Sequence, residues 1–198
     1  TATDSVRAVG LPLSMLVLVS ILRSAVVTAY LTFLPTLVVV RTGSLALGGA
    51  ALAAFLFSGS LGALLGGAAA HRFGSAPVVI ASLVTGMLGL LPVPWLPAPI
   101  LVPWMVVAGV LMFASEAQVT ALAQRLLPAF VGVASSLMMG LGLGIGNIGA
   151  IVTGAIADAR GIQYALTFTT VLMTGAIAAA CIYVMSMRGR APAELREA

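Results

Sequence analysis

The sequence has too few charged residues to cover the surface of a soluble domain. Only 7% of its 198 residues are charged and 61% are hydrophobic, whereas a soluble domain has about 25% charged residues. The nine basic residues, all arginine, are scattered singly, without the cluster that would neutralise a nucleic-acid backbone. We therefore expect most of the surface to contact the lipid bilayer, and we expect no nucleic-acid partner.

Cysteine and histidine are almost absent, and this excludes several kinds of site. Cys181 is the only cysteine and His71 the only histidine, so neither an intramolecular disulfide nor a zinc site based on these residues can form. The sequence also contains no H-E-x-x-H pattern, no serine nucleophile elbow and no phosphate-binding P-loop. We therefore predict that the chain is not an enzyme, has no catalytic residues, and binds no metal or other cofactor.

Long hydrophobic runs make up most of the sequence. A bilayer core about 30 Å thick needs roughly 20 apolar residues for one helical crossing, whereas the strands of a membrane barrel are shorter and alternate. Six runs predict transmembrane helices at about 11–37, 46–69, 76–93, 99–123, 130–156 and 163–187. The predicted fold class is an all-α membrane protein, with a linker at 1–10, a six-helix bundle at 11–187 and a cytoplasmic tail at 188–198.

The arginines beside the predicted spans indicate the orientation, because basic residues accumulate in cytoplasmic loops. If both termini are cytoplasmic, only Arg41 and Arg160 lie outside, and the other arginines near span ends lie inside. These inner residues are Arg7, Arg72, Arg125, Arg188, Arg190 and Arg196. We therefore expect a multi-pass protein of the plasma (cell inner) membrane with both termini in the cytoplasm.

Two similar segments lie about half a chain apart. Residues 67–74 read G-A-A-A-H-R-F-G after the second span, and residues 154–161 read G-A-I-A-D-A-R-G after the fifth. Three spans separate the two copies, so an odd number of crossings puts them on opposite sides of the membrane. This arrangement predicts a three-plus-three inverted repeat, with one unit at 11–93 and the other at 99–187.

The first copy resembles the cytoplasmic loop motif of the major facilitator superfamily (MFS): glycine, three small or apolar residues, aspartate, arginine, any residue, glycine, then basic residues. Gly67, Arg72 and Gly74 match this motif, whereas His71 stands where the family has aspartate. The resemblance implies a gating loop formed by these four residues. Asp158 and Gly161 are the corresponding residues in the second copy, and His71 removes the acidic member of the family's gating salt bridge.

Further segments resemble a narrower branch, the fosmidomycin-resistance-type drug exporters. They are L-R-S at 22–24 with F-L-P at 33–35, A-Q-R-L-L-P at 123–128, and V-G-V-A-S-S-L-M-M-G-L at 131–141. In that family these elements belong to the second half. The resemblance therefore implies the C-terminal half of the major facilitator fold, and a function in proton-coupled efflux of a small molecule or drug by alternating access.

Arg23 and Glu116 are the only charged residues at membrane depth. A charge there costs a few kcal/mol unless it is paired or faces water. Because the resemblance implies that the first and fourth spans line the central cavity, we predict that both residues face this cavity and form a pair. The carboxylate could carry a proton and the arginine could hold an anionic substrate group; the alternative is a static ion pair. Tyr30 and Gln124, at helical spacing from these charges, are further cavity candidates.

Glycines in the fifth span predict close helix packing. Gly140 with Gly144, and Gly142 with Gly146, have the small-xxx-small spacing. The lone amide Asn147 is expected to hydrogen-bond to another helix. The stretch 144–149 also fits a dinucleotide-binding pattern, but it follows no strand, so we predict no nucleotide site.

One six-helix bundle lacks the opposing wall that alternating access requires. The chain begins at Thr1 rather than methionine, which favours a fragment whose partner is an N-terminal six-helix half. Two alternatives stay open: a half-size transporter that pairs with a second copy of itself, and a non-transporting membrane scaffold or regulatory subunit.

Overall fold

The computed structural model describes residues 2–188, with side chains described for 10–187. Six helices are long and apolar enough to cross a membrane: α1 (Gly10–Thr42), α2 (Leu45–Phe73), α3 (Ser75–Trp95), α4 (Ala98–Leu126), α5 (Pro128–Arg160) and α6 (Ile162–Met187). No strand occurs between residues 2 and 188. The prediction of an all-α, six-helix membrane protein is therefore confirmed.

The helices extend beyond the hydrophobic runs that predicted them. The first helix already begins at Ala2, so residues 2–10, predicted as a linker, continue it without a break. The second helix ends at Phe73 and includes His71 and Arg72 in its last turn, which we had predicted as a loop. Long basic side chains at a helix end can reach the water layer while the backbone stays helical. The predicted tail at 188–198 lies beyond the side chains that the structure describes.

The helix contacts have the pattern that the predicted inverted repeat requires. The first helix of the first unit, α1, packs along α5 and α6, and its counterpart α4 packs along α2 and α3. The two similar segments also end in the same backbone conformation, with φ and ψ of 87° and 153° at Gly74 and of 91° and 153° at Gly161. Glycine is essentially the only residue found in this region, so each copy needs its glycine to turn the chain into the next helix.

An aromatic cluster fixes α1 in the centre of the bundle. The rings of Tyr30 and Phe55 lie 6.3 Å apart, and those of Phe55 and Phe113 lie 5.2 Å apart. The Tyr30 hydroxyl donates to the Leu90 carbonyl at 2.8 Å and lies 2.9 Å from the Thr170 hydroxyl. The Tyr30 side chain thereby links α2, α3 and α6 to α1, and the cluster holds α1 at a fixed rotation.

Several helices contain irregular turns, among them α4 and α5. In α4, Ala114 and Ser115 form a turn between the helical segments Ala98–Phe113 and Glu116–Leu126. In α5, Leu137–Leu141 form a π-helical turn, where the Met138 carbonyl accepts a hydrogen bond of 2.9 Å from the Ser20 hydroxyl of α1. Such turns are frequent at functional sites, because they change the direction in which the following side chains point.

Candidate functional site

The two intramembrane charges meet between α1 and α4. Arg23 lies near the middle of α1, and Glu116 is the first residue of the second segment of α4. Arg23 Nη2 lies 3.3 Å from Glu116 Oε1. Because α1 and α4 are the equivalent helices of the two repeat units, this ion pair joins one unit to the other.

The two partners differ in their surroundings. The Arg23 side chain is 6% exposed and the Glu116 side chain is 51% exposed. Arg23 Nη1 is also buried without a hydrogen-bond partner among the described residues. The cation is thus enclosed by protein while the carboxylate reaches an open face of the bundle. A carboxylate in that position can exchange protons with water, and the free guanidinium N–H can donate to an anionic group.

Tyr30 does not share this open face. Its side chain is fully buried, and its hydroxyl already contacts the Leu90 carbonyl and the Thr170 hydroxyl. The seven-residue spacing from Arg23 is correct for one helix face, but the neighbouring helices cover that face at Tyr30. In this structure Tyr30 stabilises the packing and has no surface to offer a ligand, so its predicted place in the cavity is corrected.

Gln124 lies near the C-terminal end of α4, which ends at Leu126. Its side-chain amide donates a hydrogen bond of 2.9 Å to the Ser135 hydroxyl of α5. The rise along eight helical residues separates it from Glu116 by about 12 Å. Gln124 therefore links the ends of two helices, and a role in binding substrate stays a prediction.

The residues of the predicted gating loop are exposed at the helix ends. His71, Arg72 and Gly74 are exposed and Gly67 is partly so, and the Arg72 guanidinium lies 5.4 Å from the centre of the Phe73 ring. Arg72 forms no ion pair with any side chain in 10–187. Asp158 and Gly161 are exposed at the end of α5. Gating by either copy stays a prediction.

Of the two glycine rows predicted to pack in α5, only the row of Gly142 and Gly146 approaches another helix. A Cβ atom added to Gly140 or Gly144 would meet nothing within 4 Å, whereas one added to Gly146 would lie 2.6 Å from Ser24 Cβ. Gly142 and Gly149 likewise approach α1. The sequence offers two interleaved rows with the same spacing, and the rotation of α5 decides between them. Gly140 and Gly144 lie on the open face of the helix.

Asn147 lies beside this packed row and bridges to α1. Its side-chain oxygen accepts a hydrogen bond of 3.3 Å from the Thr28 hydroxyl. Sequence reasoning missed two other polar residues, Ser75 and Gln118, which are buried at the end of α2. The feature of the sequence that could have identified them is a polar residue near the end of an apolar run. Among the described residues, no three His, Cys, Asp or Glu side chains form a group that could hold a metal ion.

Comparison with known proteins identifies relatives for part of the chain. No protein-family profile matches it. It is 33% identical over 121 residues to the uncharacterized MFS-type transporter YfnC of Bacillus subtilis (strain 168), covering 60% of this chain and 30% of that protein. It is 31% identical over 116 residues to the fosmidomycin resistance protein of Escherichia coli (strain K12), covering 57% of this chain and 28% of that protein.

These relatives confirm the predicted resemblance to major facilitator superfamily transporters. The six apolar helices fit half of such a transporter, and the chain is a multi-pass membrane protein. The chain covers less than a third of the length of either relative.

Proposed function

We propose that the chain is the C-terminal half of a secondary active transporter that exports a small molecule by alternating access. The resemblance of its motifs to the second half of the drug exporters, and its relation to a fosmidomycin resistance protein, support this function. No catalytic step is part of the proposal. We further propose that the protein lies in the plasma (cell inner) membrane with both termini in the cytoplasm.

The observation that carries this proposal is the ion pair between the two repeat units. Arg23 is enclosed in α1, and Glu116 of α4 reaches the open face. Protonation of the carboxylate removes its charge and so weakens its attraction to the guanidinium. A proton bound from one side of the membrane would loosen the contact between α1 and α4, and its release to the other side would restore it. In this proposal, the half-exposed carboxylate of Glu116 couples proton binding to the movement of α1 against α4.

The exposed apolar surface of α2 and α5 supports the proposal that a partner is missing. The two helices with the smallest buried share are α2 and α5, with 28% and 22% of their most apolar windows buried. They are equivalent members of the two repeat units. In α5 the open face includes Gly140 and Gly144, and small residues allow two helices to approach closely in a membrane. We propose that an N-terminal six-helix bundle covers this face and completes the cavity.

Resistance to fosmidomycin tests the transport function and the partner together. The chain would be produced in a fosmidomycin-sensitive bacterium alone, and together with the proposed N-terminal six-helix partner. Resistance that needs both halves is the expected result. Resistance from the chain alone would favour a homodimer. No resistance in either experiment would favour a non-transporting membrane scaffold, or a transporter for another substrate.

Proton coupling is tested with Glu116→Gln, which keeps the size of the side chain but cannot take up a proton. Everted membrane vesicles containing both halves would be energised, and proton release on addition of substrate would be followed with a pH-sensitive dye. We expect Glu116→Gln to abolish this release, whereas the control Arg160→Gln, at an exposed helix end, should retain it. Unchanged proton release in Glu116→Gln would remove the coupling role.

A further inference from the structure

A second polar cavity lies at the junction of α2, α3 and α4, and the transport proposal does not use it. Its lining includes His71, Ser75, Gln118 and Arg125, and it encloses about 320 Å³. Gln118 and Arg125 lie on the face of α4 opposite Glu116, because residues of an α-helix follow each other at about 100°. The cavity is therefore separate from the ion pair with Arg23.

Two buried polar side chains line this cavity without partners. Ser75 is 5% exposed and Gln118 is 7% exposed, and neither side chain is hydrogen-bonded to another residue in the described part of the chain. Their polar atoms are not among the fully buried atoms that lack a partner, so they are accessible from the cavity. A hydroxyl and an amide that line a half-open cavity without protein partners are available to a ligand with hydrogen-bonding atoms.

The charges around the cavity indicate that this ligand is an anion. Arg125 and His71 are exposed at its rim. The helix that begins at Ser75 has no side-chain cap, so the N–H groups of its first turn add partial positive charge. Of the carboxylates in 10–187, Glu116 lies on the opposite face of α4, and Asp158 lies in the last turn of α5, at the other end of the bundle in the proposed orientation.

We propose that this cavity binds a phosphate group at the cytoplasmic ends of α2 and α4. Gln118, Ser75 and Arg125 donate from three helix positions, which suits a tetrahedral anion, and a phosphate leaves room in the cavity for its ester substituent. His71 adds a fourth donor when it is protonated or has the suitable tautomer. The phosphate belongs either to the headgroup of an anionic phospholipid of the inner leaflet or to a soluble phosphate ester.

Binding would be measured on the full 198-residue chain in two arms. In the first, inorganic phosphate is titrated into the chain in phosphatidylcholine nanodiscs and followed by calorimetry. In the second, native mass spectrometry compares retention of phosphatidylglycerol with that of phosphatidylcholine. A phosphate signal indicates a soluble ligand, and selective retention of phosphatidylglycerol alone indicates a lipid headgroup.

The variants Gln118→Leu and Arg125→Gln should each weaken binding about ten- to a hundredfold, as expected for the loss of a hydrogen bond to a charged group. His71→Asp should weaken it further by repulsion, and the control Arg160→Gln should leave it unchanged. Arg125 is exposed, so Arg125→Gln tests the site even if Gln118→Leu fails to fold, as judged by size-exclusion chromatography. Binding in neither arm, or binding that these variants leave intact, would overturn the proposal.

Discussion

Replacing Glu116 with leucine should destabilise the bundle far more than replacing Arg23 with methionine. Arg23 is 6% exposed and already has one unpaired N–H group, so without Glu116 it becomes an uncompensated charge inside the protein. Glu116 is 51% exposed, so it keeps contact with water when Arg23 is absent. The two members of one ion pair should therefore have unequal effects when each is removed.

The expected loss of stability in each variant follows from the surroundings of the charge that remains. Removing one partner of a fully buried ion pair costs about 3–5 kcal/mol, and an arginine at the centre of a membrane helix costs about 2.5–3.5 kcal/mol. Because half of the Glu116 side chain is exposed, we expect Glu116→Leu to cost about 2–3 kcal/mol, at or just below the lower end of these two ranges. Arg23→Met preserves the packing of the aliphatic stem and removes the unpaired donor, so we expect a change below about 1 kcal/mol.

The free energy of unfolding can be measured by titrating a denaturing detergent into mixed micelles and following the fluorescence of the two tryptophans, Trp95 and Trp104. The double variant provides the control, because it contains no buried charge at this site. Its stability should return to that of Arg23→Met. Equal losses in the two single variants, or a double variant no more stable than Glu116→Leu, would refute the asymmetry that we infer from the exposures.

Two further predictions concern glycines. Gly149→Ala should lower the free energy of unfolding by about 1–3 kcal/mol, because a Cβ atom there would lie 2.8 Å from Ala25 Cα. Its control is Gly144→Ala, which should be neutral or stabilising because the added Cβ meets nothing within 4 Å. Gly161→Ala should cost about 1–3 kcal/mol for its backbone conformation alone, since φ is 91° and nothing lies within 4 Å of an added Cβ. Both are checked in the same detergent titration, and an unchanged midpoint in either variant would contradict its explanation.

The sequence predicted the number of helices, but not their ends. Hydropathy falls at Arg41, His71 and Arg160, so the predicted spans stop short of them, yet the helical hydrogen bonds continue through all three residues. The ends are determined by Gly43, Gly74 and Gly161, the only described residues with positive φ. Glycine is common in this sequence, with 22 residues, so composition alone could not identify these three.

Arg23 and Glu116 could be found in the sequence because an intramembrane charge is rare enough to stand out, and its cost forces it toward a partner or toward water. The neighbours of these two charges could not be found in the same way. Tyr30 has the spacing of a cavity residue but is covered by α3 and α6, and Gly140 has the spacing of a packing residue but faces outward. Helical periodicity gives the angle between two residues on one helix and leaves the rotation of that helix undetermined.

The amino-acid sequence by itself determined that this protein crosses the membrane six times, because apolar length and scarce charge are properties of each segment alone. The tertiary structure decided which glycines touch α1, that Arg23 is enclosed while Glu116 is open, and that Ser75 and Gln118 face a common cavity. Each of these depends on how far one helix is turned against its neighbours. That rotation results from all the side-chain contacts together, and no single segment of the sequence contains it.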